Sequence, residues 1–154
     1  MELQQLIDSE CVIPKLCASS KKQALHELSI CAAEHTGQPQ REIFDALLER
    51  ERLGTTGVGG GVAIPHGKLA GLDQLYGLFA RLEAPIDFEA IDEQPVDLIF
   101  LLLAPESAGA DHLKTLSRVS RLLRDKAVCE KMRGCESCEN LLMLITDRTA
   151  SLAN

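Results

Sequence analysis

Apolar positions along the chain follow two patterns, the three- to four-residue spacing of helices and the short runs of strands. Ser20 and Gln23 have the spacing of a capping box, in which a side chain at each end satisfies a backbone N–H. A helix is therefore predicted from Lys21 until Gly37. The next apolar stripe predicts a second helix between Pro39 and Gly54, because proline suits a first turn and glycine often follows a last one.

Four short apolar segments predict β-strands, namely Val12–Ala18, Val62–Ile64, Leu75–Leu82 and Val96–Leu103. Pro14 has no N–H for a ladder, so the first strand is expected at the edge of a sheet. The last is apolar at nearly every position, which is typical of a central strand covered on both faces. This alternation of strands and helices predicts an α/β fold, and the length predicts a single domain over residues 1–154.

The C-terminal part of the chain has helical spacing throughout. A helix is predicted over Asp111–Arg124, with three arginines on its outer face. Its expected buried face consists of Leu113, Leu116, Val119, Leu122 and Leu123. Two shorter helices are expected over Lys126–Arg133 and Ser137–Thr146.

Charge and composition exclude several classes of function. The net charge of −7 argues against a nucleic-acid partner, since no basic stripe is available to contact phosphates. The chain has no apolar run long enough for membrane insertion and no signal peptide, so a cytoplasmic protein is expected. The six cysteines are expected to be reduced, and the spacing of Cys135 and Cys138 is too weak a signal to predict a bound metal.

The segment from Gly54 to Lys68 is unusually rich in glycine. Glycine lets another group approach the backbone closely, and successive N–H groups can form a concave anion site. Phosphate binding is therefore predicted for four residues, namely Thr55, Thr56, Gly57 and Gly59. The segment matches neither a P-loop nor a dinucleotide fingerprint, because the required Gly-Lys-Ser/Thr and the strand–glycine order are missing.

His66 follows a predicted strand and lies between Pro65 and Gly67, which would present its imidazole with little steric cover. A histidine with an ordinary pKa is largely neutral near pH 7, so a ring nitrogen can act as a nucleophile toward a phosphoryl group. The residues alone also allow a second interpretation, in which His66 is a loop histidine with a purely structural role.

Motifs spread over the chain narrow this choice. Gly-x-x-Ile-Pro-His-Gly-Lys after Gly-Thr-Thr-Gly-Val-Gly resembles the phosphorylation-site signature of the mannitol/fructose-class enzyme IIA proteins of the bacterial phosphotransferase system. The resemblance extends to Ser20-Lys21-Lys22, Phe44–Arg52, Ile91–Leu98 and His112-Leu113-x-x-Leu116, and it is closest to the nitrogen-regulatory branch. It implies a mixed β-sheet flanked by helices on both faces.

The resemblance also implies roles for three residues. His66 matches the phosphoacceptor, Arg50 matches an arginine near the phosphate, and His112 matches a second histidine of the site. Arg52 is a competing candidate that only the motif register excludes. His112 is expected to be mostly neutral in the first turn of its helix, with Asp111 as a cap that points away. No cofactor is expected.

The function implied is phosphoryl relay, in which a phosphorylated HPr-like carrier phosphorylates His66 and regulatory target proteins respond to the phosphorylation state. The absence of fused transport domains in 154 residues favours a regulator. One alternative is a sugar-transport enzyme IIA that passes the phosphoryl group to an enzyme IIB. Another is a binding module that holds an anion without covalent chemistry.

Overall fold

The computed structural model describes residues 11–152, and within that span one mixed six-stranded sheet is flanked by helices on both faces. The strands are β1 Val12–Leu16, β2 Gly57–Gly59, β3 Val62–Ala63, β4 His66–Leu69, β5 Tyr76–Ile86 and β6 Val96–Pro105. The helices are α1 Lys21–Thr36, α2 Gln40–Arg52, α3 Gly109–Leu123, α4 Lys126–Arg133 and α5 Cys138–Leu152.

Strand β6 is the centre of the sheet. It runs antiparallel to β5 on one side and parallel to both β3 and β4 on the other, while β1 pairs only with β5. Every residue of β6 except Asp97 is buried. The structure therefore confirms the predicted central strand and the predicted edge strand.

The strand predicted over Val62–Ile64 is one half of a longer arrangement. β3 and β4 lie end to end along β6, with Val62 opposite Leu98 and His66 opposite Leu102. Pro65 interrupts the strand, yet its carbonyl still accepts a hydrogen bond of 3.0 Å from Leu102 N–H. His66 therefore begins a strand instead of ending one, and its position is fixed by the central strand.

The first two helices have the predicted bounds to within a residue or two. Ser20 Oγ accepts from Gln23 N–H at 3.1 Å, and Gln23 Oε1 accepts from Ser19 N–H at 2.7 Å. Gly37 ends α1 in the left-handed conformation, at φ +75°. α1 and α2 pack on each other, and α2 also packs against β4. That contact places the C-terminal end of α2 beside His66.

The helix predicted over Asp111–Arg124 begins two residues earlier, at Gly109, and its buried face differs from the predicted one. Leu113, expected in the core, is 66% exposed, whereas His112 and Thr115 are buried. Asp111 lies in the first turn and its side chain makes no capping hydrogen bond. The prediction for Leu113 was wrong because two polar residues occupy the inner face of the first turns.

Of the two remaining helices, one has the predicted bounds and the other is longer than predicted. α4 has the predicted bounds and is capped by Asp125, whose side chain accepts from two backbone N–H groups. α5 begins at Cys138 and extends to Leu152, beyond the predicted end at Thr146. None of the helices within residues 11–152 is long and apolar enough to cross a membrane.

Candidate functional site

A cavity of about 420 Å³ opens where the end of α2, the start of β4 and the first turns of α3 meet. Its lining brings together the three residues predicted to act in chemistry, Arg50, His66 and His112. The other lining residues are Ala46, Glu49, Leu53, Gly67 and Lys68. Gly67 lies against Ala46 of α2, where an added Cβ would make an ordinary van der Waals contact at 3.5 Å.

The hydrogen bonds of His66 define its protonation state. His66 Nδ1 lies 2.9 Å from the carbonyl oxygen of Ile64, and Nε2 lies 3.1 Å from Nε of Arg50. A carbonyl can only accept and a guanidinium can only donate. His66 is therefore neutral, with its proton on Nδ1 and a lone pair on Nε2.

Electrostatics around His66 favour the same neutral form. Burial lowers its pKa from the ordinary value, the contact with Ile64 works in the opposite direction, and the charge of Arg50 lowers it further. A carboxylate at Glu51 partly offsets this by favouring the charged form. A neutral ring is what a nitrogen nucleophile requires.

His112 faces His66 across the cavity. The two ring centroids are 5.7 Å apart, and the rings are tilted by 50°. Burial lowers the pKa of His112, and two neighbours, His66 in its protonated form and Lys68, lower it further. His112 Nδ1 is buried and has no hydrogen-bond partner among the described residues.

An unpaired buried N–H is rarer in proteins than an unpaired acceptor, so the geometry favours a neutral His112 with its proton on Nε2. The neutral state agrees with the expectation from sequence. Its main cause is burial, which lowers the pKa of His112 more than either neighbouring residue does.

Two cations give the cavity a positive character. Arg50 donates through Nη1 to the carbonyl of Gly54 at 2.9 Å, which holds its guanidinium across the mouth of the site. Lys68 is exposed and makes no hydrogen bond or ion pair with the described residues. Arg52, the competing candidate, pairs with Glu49 on the surface and does not line the cavity.

A buried ion pair supports α2 beneath the cavity. Glu51, whose side chain is 5% exposed, pairs with Lys21 Nζ at 2.8 Å and accepts from Thr56 N–H at 3.1 Å. The hydroxyl of Thr56 also hydrogen bonds to this carboxylate. This network joins the start of α1, the end of α2 and the glycine-rich segment, and the sequence reasoning missed it.

The four residues predicted to bind phosphate do not line the cavity. The Thr55 hydroxyl donates to the Phe88 carbonyl at 3.2 Å and accepts from Gly57 N–H at 3.0 Å. Gly57 is required for packing, since a Cβ there would lie 2.8 Å from Ala90 Cβ. These residues and Thr56 are thus committed to contacts within the protein.

The remaining part of the glycine run forms the turn between β2 and β3. Gly59, Gly60 and Gly61 all have positive φ, which side chains rarely adopt. Gly60 N–H donates to Asp92 at 3.0 Å. Gly59 also lies against Asp92, which is an unfavourable neighbour for a phosphate.

Five lining residues were not predicted as site residues, among them the cation Lys68 and the exposed Leu53. Lys68 was visible in the sequence as the lysine of Ile-Pro-His-Gly-Lys, at an even spacing from His66 that puts both on one face of β4. Leu53 gave no signal, since a single leucine at a helix end is unremarkable. Among the described residues no group of three or more His, Cys, Asp or Glu side chains could hold a metal.

Comparison with known families accounts for this combination of fold and site. The model of the family described as "Phosphoenolpyruvate-dependent sugar phosphotransferase system, EIIA 2" matches residues 5–148. The match covers most of the chain, which therefore belongs to this family of phosphotransferase proteins.

Similarity to individual proteins points to one branch of the family. The chain is 54% identical over 153 residues to a nitrogen regulatory protein of Bradyrhizobium diazoefficiens, covering 99% of this chain and all of that protein. It is 45% identical over 149 residues to a nitrogen regulatory protein of Escherichia coli K12, covering 96% of this chain and 91% of that protein.

Solved structures agree with this placement. The crystal structure of nitrogen regulatory protein IIA-Ntr from Neisseria meningitidis has a TM-score of 0.89 and 34% identity, covering 94% of this chain and 99% of that one. IIA mannitol from Escherichia coli, at 20% identity and a TM-score of 0.77 over 90% of this chain and 98% of that one, shares the fold. These nitrogen regulatory relatives are 34–54% identical to the chain, whereas the mannitol protein shows the fold alone, so the similarity favours phosphoryl relay in the nitrogen-related phosphotransferase system over a sugar-specific role.

Proposed function

We propose that Nε2 of His66 accepts a phosphoryl group from a phosphorylated HPr-like carrier protein. One observation carries the proposal. Nδ1 of His66 is held on the Ile64 carbonyl at 2.9 Å, which leaves the Nε2 lone pair directed into a cavity with two cations. Attack forms the N–P bond while the bond from phosphorus to the donor atom of the carrier breaks, and the carrier keeps that electron pair.

The neighbouring side chains act on the phosphoryl oxygens. Arg50 Nε donates to Nε2 at 3.1 Å in the resting protein, so it must release the ring as phosphorus arrives and then donate to an oxygen. Lys68 supplies a second positive charge, and Nε2–H of His112 supplies a neutral donor. Phosphoryl transfer depends on positioning and on such charge stabilisation, so these contacts carry the catalysis.

The direct test is the intact mass of the protein after incubation with phosphoenolpyruvate, enzyme I and an HPr-like carrier. We expect a gain of one acid-labile phosphoryl group, and none in His66→Gln. Equal phosphorylation of that variant would overturn the assignment. A binding module would show no gain in either protein.

We propose that the carrier docks on apolar surface beside His66. Leu53, which lines the cavity, is 85% exposed, and Leu113, next to His112, is 66% exposed. Large exposed leucines at a polar site are typical of protein interfaces. Leu53→Ser should therefore raise the KM for the phosphorylated carrier with little change in kcat.

The matched control is Ile91→Ser, which removes an apolar side chain that is 72% exposed and does not line the cavity. It should leave KM unchanged. An equal rise in KM for both variants would mean that the leucines at the site have no special role in docking.

Regulation of other proteins follows from the same surface. A phosphohistidine adds a charge of about −1.5 to −2. A target protein that packs on Leu53 and Leu113 must bury that charge, so we propose that targets without facing arginines bind the unphosphorylated form. Rapid transfer from the phosphorylated protein to a sugar-specific enzyme IIB would contradict this regulatory role.

A further inference from the structure

A second cavity, of about 510 Å³, lies between the turn of the β2–β3 hairpin and the helices α3 and α4. Val58 and Gly59 form one wall, and Leu123, Arg124 and Lys126 form the other. It shares no lining residue with the cavity at His66. Its volume lies within the range of about 300–1,000 Å³ that is usual for small-molecule sites.

The charge around this cavity is opposite to that of the whole protein. The net charge of the chain is −7, yet residues 114–133 contain two acids and seven cations, namely Lys114, Arg118, Arg121, Arg124, Lys126, Lys131 and Arg133. Three of these cations line the cavity, together with a single acid, Glu130. A local excess of positive charge attracts anions even when the total charge is negative.

One of the three cations fixes the shape of the cavity. Arg133 donates through Nε to Asp97 at 2.9 Å, through Nη1 to Glu130 at 3.0 Å, and through Nη2 to the Gly60 carbonyl at 2.7 Å. Its charge is therefore matched within the protein, and it ties the hairpin turn to α4.

The other two cations remain available to a ligand. The side chains of Arg124 and Lys126 are exposed and make no hydrogen bond or ion pair with the described residues. They stand at the end of α3 and the start of α4, two positions apart. A guanidinium and an ammonium that line the same cavity suit a phosphate group, which accepts several charge-assisted hydrogen bonds.

The rest of the lining is apolar or neutral. Val58 is 44% exposed although it is a large apolar residue on a strand, and Leu123, of which 5% is exposed, also lines the cavity. Cys129 is buried, its thiol donates to the Leu123 carbonyl at 3.3 Å, and burial raises its pKa, so it remains uncharged. The cavity thus combines apolar lining residues with two cations that have no partner in the part of the chain that the structure describes.

We propose that this cavity binds a small molecule that carries phosphate on an apolar ring system, that is, a molecule of the nucleotide class. The phosphates would contact Arg124 and Lys126, and the ring would lie between Val58 and Leu123. This site goes beyond the proposed relay, since it uses none of the residues at His66. The helix α3 carries His112 in its first turns and Leu123 in its last, so it joins the two cavities.

The test is titration calorimetry, with 15N-labelled protein observed by NMR, using ADP, GDP, adenosine and inorganic pyrophosphate as probes. We expect a diphosphate nucleotide to bind, with shifts centred on Val58, Gly59 and residues 123–130. Adenosine and pyrophosphate should each bind at least about tenfold more weakly, because each lacks half of the contacts.

Variants separate specific binding from general attraction of anions. The double variant Arg124→Ala/Lys126→Ala should weaken nucleotide binding at least about tenfold. Lys131→Ala is the control, since Lys131 is an exposed cation on the same helix and does not line the cavity. Amide spectra of all variants should show the native fold.

Several results would overturn the proposal. No binding of ADP or GDP at millimolar concentration would do so, as would shifts centred on the cavity at His66. Equal weakening by Lys131→Ala would indicate diffuse attraction to the basic segment. Binding of pyrophosphate as tight as that of ADP would exclude the nucleotide class. None of these outcomes bears on the proposed phosphorylation of His66, which the His66→Gln variant tests separately.

Discussion

The cavity at His66 and the glycine-rich segment from Thr55 to Gly61 contain similar chemical groups and use them differently. At the cavity, the Lys68 ammonium has no partner among the described residues, and the unpaired Nδ1 of His112 leaves the proton of that ring on Nε2 as a donor. In the segment, the hydroxyls of Thr55 and Thr56 and the amide of Gly60 already bond to protein acceptors. Donors of the right type therefore do not make a phosphate site unless they remain available to the ligand.

Arg50→Ala should have the largest effect, because Arg50 Nε contacts Nε2 of His66 itself and can pass from the ring to a phosphoryl oxygen. Removal of one preorganised donor that contacts developing charge costs about 100- to 1,000-fold in rate. We expect a loss of this size in kcat/KM for phosphorylation by the carrier, measured by rapid quench. Arg52→Ala removes the same charge from a surface pair outside the cavity and should change the rate by less than about twofold. Similar losses in both variants would remove Arg50 from the site.

Glu51→Gln tests the support beneath α2. The change leaves Lys21 without its buried partner, and breaking such a pair costs about 3–5 kcal/mol of the free energy of unfolding. Because the amide can keep one hydrogen bond, we expect the lower end of that range, measured by urea denaturation. Glu49→Gln breaks an exposed pair and should cost less than about 1 kcal/mol. A stable Glu51→Gln variant would show that the network has no structural importance.

Thr55→Val tests the glycine-rich segment directly. The hydroxyl donates to Phe88 and accepts from Gly57, so its loss should lower the free energy of unfolding by about 1 kcal/mol. The rate of phosphorylation should stay within about twofold of the native rate, since Thr55 does not line the cavity. A large loss of rate in a variant of native stability would restore Thr55 as a phosphate ligand.

The pH dependence of stability should be a smaller effect. Burial lowers the pKa of both His66 and His112 in the folded protein. Below about pH 6.5 the unfolded chain therefore binds more protons at these histidines than the folded protein does. Their contribution to the free energy of unfolding is present above that pH and is lost as the pH falls toward the lowered pKa values of the folded protein. The variant His66→Gln/His112→Gln should lose less stability than the native protein between pH 7 and pH 5, measured by urea midpoints. Parallel losses in the two proteins would contradict these pKa shifts.

The sequence predicted those parts of the molecule where side-chain pattern alone decides the structure. The central strand could be predicted because nearly all of its positions are apolar, and α1 because Ser20 and Gly37 mark its two ends. Strand β2 escaped prediction since glycine leaves no pattern of inward and outward side chains. The prediction that Leu113 is buried was wrong because His112 and Thr115 occupy the inner positions of α3. Polar residues are not expected at such positions from the sequence pattern.

The identity of the site residues could be predicted from the sequence, but their hydrogen bonds could not. His66, Arg50 and His112 lie in motifs that a resemblance can match, and the structure brings all three to one cavity. The proton on Nδ1 of His66 could not be predicted, because it depends on a carbonyl and a guanidinium that meet only in the fold. The partners of Thr55 and Thr56 could not be predicted either. The Phe88 carbonyl is distant in sequence from Thr55, and Glu51 reaches Thr56 only once α2 and the glycine-rich segment have folded.

The central claim is that Nε2 of His66 is the phosphoacceptor, and long-range ¹H–¹⁵N NMR of the phosphorylated protein tests it most directly. We expect that the imidazole of His66 carries phosphorus on Nε2 and keeps its proton on Nδ1, bonded to the Ile64 carbonyl. Phosphorus on Nδ1, or on any residue other than His66, would contradict it.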